Sequence, residues 1–126
     1  MNSLDKKWDA LISRLENQLD DEVSLKVILY LIGVQELNMG IKRFDRDEKQ
    51  DVLHVAVCKV LAPFGYYTFD RIDEEGWPHW KEKKAVTLLS EKKQELLMKK
   101  GCCIQRSNKR PICGQVLGLV KKHYYQ

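Results

Sequence analysis

The chain of 126 residues is 44% hydrophobic and 32% charged, with 22 Lys+Arg against 18 Asp+Glu and a formal charge of +4. These values exclude intrinsic disorder, because enough apolar surface exists to offset the entropy of ordering the chain, and the length suits one domain or one domain with an appendage. The charge is unevenly laid out: residues 1–80 hold 10 basic against 15 acidic side chains, and residues 81–126 hold 12 against 3.

Leu4, Trp8, Leu11, Ile12, Leu15 and Leu19 recur at three- and four-residue steps, which predicts a first helix with one apolar stripe, capped by Asn2 or Ser3. Asp20-Asp21-Glu22 closes it and places negative charge at the positive end of a second helix, over about residues 22–37. That second helix is apolar on nearly every side and belongs in the middle of a bundle, with Gly40 as its stop. Asp45 and Glu48 have capping-box spacing and open a third helix carrying Val52, Val55, Ala56, Val60 and Leu61, which ends near Leu61 before Pro63 and Gly65.

At Gly65 the texture changes. Tyr66-Tyr67-Thr68-Phe69 and Trp77-Pro78-His79-Trp80, separated by the polar turn Asp73-Glu74-Glu75-Gly76, predict a β-hairpin at about residues 66–81. Pro78 cannot donate a ladder bond, so its strand is an edge. Ser90 or Thr87 opens a fourth helix, capped at its end by Gly101. The expected fold is mainly α: a three- to four-helix bundle over residues 1–100, with one β-hairpin inserted before the last core helix. Residues 101–126 then form a basic, cysteine-containing appendage in which Val116, Leu117, Leu119, Val120 and Tyr124 make at best one weak helix.

The N-terminus runs straight into an amphipathic pattern without the apolar core of a signal peptide. The longest apolar run, Val27-Ile28-Leu29-Tyr30-Leu31-Ile32, is far short of the ~20 residues that span a bilayer. The expectation is a cytoplasmic protein whose four cysteines are thiols, with no membrane contact.

Residues 31–100 resemble a family of short, uncharacterised bacterial proteins. The resemblance is carried by Ile32-Gly33-Val34-Gln35-Glu36-Leu37, His54-Val55-Ala56-Val57-Cys58, Gly65-Tyr66-Tyr67 and Asp73-Glu74-Glu75-Gly76-Trp77-Pro78-His79. It implies a shared fold and no chemistry. The stretch after Lys100 departs from the family, as a shifted reading frame would make it.

Four constellations could carry chemistry. Cys102, Cys103, Cys113 and His123 invite a zinc reading, but zinc sites pair ligands two to four residues apart, and here two are adjacent, Cys113 follows ten residues later and His123 ten after that. His54 and Cys58 lie one turn apart on the third helix with Asp51 nearby, as a Cys–His nucleophile pair would. The apolar flanks Val57 and Val60 favour an ordinary buried cysteine. The hairpin gathers Tyr66, Tyr67, Trp77, His79 and Trp80 beside acidic residues. These five are the candidate ligand or partner surface, set against plain cross-strand aromatic packing. Finally, three helices followed by a hairpin is the order of a winged-helix domain. Against that reading, its recognition helix would offer only Lys49, Gln50 and Lys59, and its wing would present Asp73-Glu74-Glu75 to phosphates.

No phosphate loop, H-E-x-x-H or G-x-S-x-G motif is present. No catalytic residue, metal or cofactor is expected. The expected function is non-enzymatic protein–protein interaction with self-association into a homo-oligomer, because a chain this short lacks the polypeptide to cover its apolar second helix from every side. The alternative is charge-driven nucleic-acid binding through the basic tail.

Overall fold

A computed structural model describes residues 3–37 and 44–107. The elements in chain order are α1 (Ser3–Leu19), α2 (Leu25–Leu37), α3 (Arg46–Leu61), β1 (Tyr67–Ile72), β2 (Pro78–Glu82) and α4 (Glu91–Ser107), with short 3₁₀ turns at Ala62–Phe64 and Val86–Leu88. The fold is mainly helical, with a two-stranded antiparallel hairpin placed before the last helix. α3 is the hub: it packs on α2, on α4 and on both strands, while α1 lies against α4.

The local chemistry explains most boundaries. α1 buries Leu11, Leu15 and Leu19 and ends at Asp20, whose φ of 57° is left-handed backbone that aspartate tolerates better than most residues. The Glu16 carboxylate accepts the Val23 N–H at 3.0 Å and fixes the corner that follows. α2 begins later than its acidic lead-in suggested. The Ser24 hydroxyl accepts the Val27 N–H at 3.3 Å, so serine caps the helix, and Asp20, Asp21 and Glu22 make the corner instead. α3 opens on the expected capping box: Asp45 Oδ1 accepts the Glu48 N–H at 2.8 Å, and Glu48 Oε1 accepts the Asp45 N–H at 3.2 Å. It gives way at Leu61 to the 3₁₀ turn holding Pro63, and Gly65 at φ 87° turns the chain into the hairpin.

In the hairpin Phe69 pairs with Trp80 and Ile72 with Pro78, and Asp70 is an extra residue in β1 between Phe69 and Arg71. Such a bulge bends an edge strand and sharpens its twist. Pro78 stands first in β2, where a missing N–H costs least. Ser90 caps α4 by accepting the Lys93 N–H at 3.3 Å.

Two expectations are corrected by packing. Gly101 does not end the fourth helix, which continues to Ser107. A Cβ on Gly101 would overlap the Val60 carbonyl oxygen, so this glycine is where α4 closes onto α3. Cys102 beside it is fully buried in the core, and the element therefore crosses the position where the bundle was expected to give way to an appendage. Residues 108–126, including the weak helix expected near Val116, lie outside the described residues. The second correction concerns α2. All eight residues from Val27 to Val34, and Leu37, are buried, so the chain does cover its most apolar helix. Gly33 makes this possible: a Cβ there would overlap the Val52 carbonyl oxygen of α3. Self-association thereby loses the motive that composition had suggested. Among the described residues no helix is long and apolar enough to cross a membrane.

Candidate functional site

The side of α3 away from the bundle meets the hairpin less closely. Between them opens a cleft of about 410 Å³, lined by Asp51, His54 and Val55 of α3 and by Asp73, Glu75, Trp77, Pro78, His79 and Trp80 of the hairpin. This volume lies at the lower end of the range for small-ligand sites.

Asp73 organises the hairpin half. Its Oδ1 accepts the backbone N–H groups of Glu75 and Trp77, each at 2.9 Å, which closes the turn as a side-chain mimic of a backbone loop. Its Oδ2 lies 2.8 Å from His79 Nε2. The histidine bond, then the Trp77 and Glu75 N–H groups, hold the Asp73 carboxyl below the usual carboxylate range. An ionised Asp73 only accepts, so His79 donates from Nε2 and keeps Nδ1 for another partner.

The α3 half carries His54, exposed at the helix surface. Its Nε2 lies 3.6 Å from Cys58 Sγ one turn below, and its ring stands edge-on to Tyr67, centroids 6.3 Å apart. The expected same-face geometry of His54 and Cys58 is therefore present, but the Cys58 side chain is fully buried. Burial pushes its thiol up to about 11, which disfavours the thiolate that a nucleophile needs.

The five hairpin candidates separate. Trp77, His79 and Trp80 line the cleft. Tyr67 borders it through its contact with His54. Tyr66 turns away: Lys84 Nζ sits 5.5 Å from the centre of its ring, and its carbonyl accepts the Lys83 N–H at 2.8 Å. Aromatic packing and site-building coexist here. Trp77 meets the buried Phe44 edge-on at 6.1 Å, and Phe69 meets Trp80 at 5.4 Å across the strands. The Trp80 indole N–H is shielded from solvent and has no acceptor among the described residues.

The sequence offered the α3 cluster and the hairpin cluster as unrelated candidates. It missed that Asp51 and His54 complete the cleft built by Trp77, His79 and Trp80. No local signal joins residues 23 to 29 positions apart in different elements; only the packing of the hairpin on α3 does.

For zinc, no group of three or more His, Cys, Asp or Glu among the described residues is placed to hold a metal ion. Cys113 and His123 lie outside those residues. For nucleic acid, the solvent side of the first half of α3 shows Arg46, Asp47, Gln50, Asp51 and His54. Two carboxylates on that face oppose docking against phosphates. No family model matches this chain, and no curated protein or solved structure is similar to it at a significant level.

Proposed function

We propose that this chain is a non-enzymatic protein-binding module and that the hairpin is its contact surface. The observation that carries the reading is the exposure of Phe69 and Ile72, 49% and 62% accessible on a strand whose outer edge pairs with no other strand among the described residues. Large apolar side chains along an open strand edge are the ingredients of strand-edge recognition. With α2 enclosed, the hairpin takes over as the seat of the interaction.

The occupant we put first is a second copy of this chain. Residues 1–80 carry a net deficit and residues 81–126 a net excess of positive charge, so unlike parts of two copies attract, and the attraction weakens with salt. Sedimentation velocity over a wide concentration range, at low and high salt, tests this. Concentration-dependent association that is weakened in Phe69→Ser/Ile72→Ser supports it. A monomer under every condition, or association indifferent to both substitutions, removes it. Adding duplex DNA or RNA to the same samples tests the nucleic-acid alternative, whose mark is a salt-dependent shift in sedimentation.

A further inference from the structure

We propose that the cleft between α3 and the hairpin receives the guanidinium or ammonium group of a basic residue in a peptide segment. The proposal rests on the protein-binding reading and names the chemistry recognised at one place within it.

The lining decides the sign of the ligand. Asp51, Asp73 and Glu75 contribute three carboxylates, and among the described residues no Lys or Arg lines the cleft. An anion would meet repulsion from all three, and an apolar ligand would strip water from carboxylates without replacing it. Asp73 is already committed, with one oxygen on two backbone N–H groups and the other on His79. It serves as a strut that fixes the turn and the imidazole. The Asp51 and Glu75 carboxylates, by contrast, have no ion pair or hydrogen bond among the described residues. They are the acceptors open to a cation.

The walls decide what kind of cation. Trp77 and Trp80 both line the space, and indole faces attract organic cations and cover their aliphatic stems. A bare metal ion would use neither feature, and the ligand set for one is missing among the described residues. A basic residue within a peptide presents a cation and an apolar stem together, which matches the open carboxylates and the indole walls of the cleft.

The test uses the full chain labelled with ¹⁵N, titrated with an N-acetylated, C-amidated Gly-Arg-Gly peptide. The chain has three tryptophans. Two line the cleft, and Trp8 lies on α1 under the Lys99 ammonium, so its indole signal is an internal control. The expected result is saturable movement of the Trp77 and Trp80 indole signals while Trp8 stays still. The same peptide with citrulline, a neutral isostere of arginine, should leave all three in place. Asp51→Asn/Glu75→Gln should weaken the arginine peptide about tenfold, because charge-assisted bonds become neutral ones, with the Trp8 signal reporting an intact fold. Absence of a saturable shift, or equal binding of the citrulline peptide, overturns the proposal. A substitution at the exposed Ile72 separates the two readings. Ile72→Ser alone, which keeps the Phe69–Trp80 contact, is expected to weaken association between chains and leave the peptide titration unchanged. If the titration fails while association persists, the cleft proposal falls alone.

Discussion

α3 has two interfaces of opposite character. Toward α2 and α4 it is dry and without spare room: Gly33 and Gly101 bring backbone against the carbonyls of Val52 and Val60, with no space for a methyl group. Toward the hairpin it leaves a cleft of about 410 Å³ edged with carboxylates, imidazoles and indoles. One helix of 16 residues therefore serves as both keystone and wall. The contrast teaches where substitutions should be felt. Changes on the bundle side should act globally, through backbone overlap, and changes on the hairpin side should act locally, on the turn and the cleft.

The largest expected effect is on the bundle side. Gly101→Ala gains about 1 kcal/mol of helix propensity, but the added methyl meets backbone that cannot rotate aside, and overpacking of that kind costs about 3 kcal/mol. The net expectation is a loss of about 2 kcal/mol in urea unfolding, for Gly101→Ala and for Gly33→Ala alike. A neutral or stabilising result at either position would mean that the two crossings are looser than the distances imply.

Next come the buried thiols, Cys102 in the bundle core and Cys58 under His54 on the side of α3 that faces the hairpin. Burial raises Cys58 to about 11 and Cys102 to about 12, against 9.0 for an unburied thiol. A group whose pKa rises on folding gives stability that is complete below its unfolded value and is lost as pH climbs through the folded one. Stability should thus decline from about pH 9 upward, as the unfolded chain releases protons that the folded chain retains. Cys58→Ala/Cys102→Ala begins less stable, by about 1 kcal/mol per small cavity, but should show a shallower alkaline decline. Parallel declines in the two proteins would show that these thiols do not govern it.

The smallest effect belongs to the hairpin. Asp73→Ala removes the acceptor for the Glu75 and Trp77 N–H groups and for His79. Both amides should lose hydrogen-exchange protection while the amides of α2 keep theirs. The pH dependence has the opposite sign to that of the thiols. The Asp73 carboxyl is held low on folding, so its contribution is complete above the usual carboxylate range and disappears as pH falls through the depressed value. If acid loosens α2 and the hairpin together, the two sides of α3 are coupled and the contrast drawn above fails.

Much of the fold was legible in particular residues. The Asp45–Glu48 capping box, Ser90 before the last helix, Pro63 and Gly65 after α3, and the aromatic strands around Asp73-Glu74-Glu75-Gly76 all lie where their local chemistry placed them. Caps and turns are settled by neighbours within about four residues, which is the range a sequence pattern can express. Gly101 was misread for the same reason. Glycine after a helical run usually marks an end, and nothing local distinguishes a stop from a point where another helix presses close. The candidate site was half legible: Trp77, His79 and Trp80 stood out by type and density, whereas the contribution of Asp51 and His54 depended on which face of α3 the hairpin covers.

The sequence by itself determined the helices, the caps of α3 and α4, the hairpin and its turn, and the uneven charge along the chain, because propensity, periodicity and capping are short-range. Only the tertiary structure decided that α2 is enclosed and that α4 continues through Gly101. It alone set Asp51 and His54 beside Trp77, His79 and Trp80. Each of these depends on how closely two backbones can approach across a long separation in the chain, and that distance is fixed by packing.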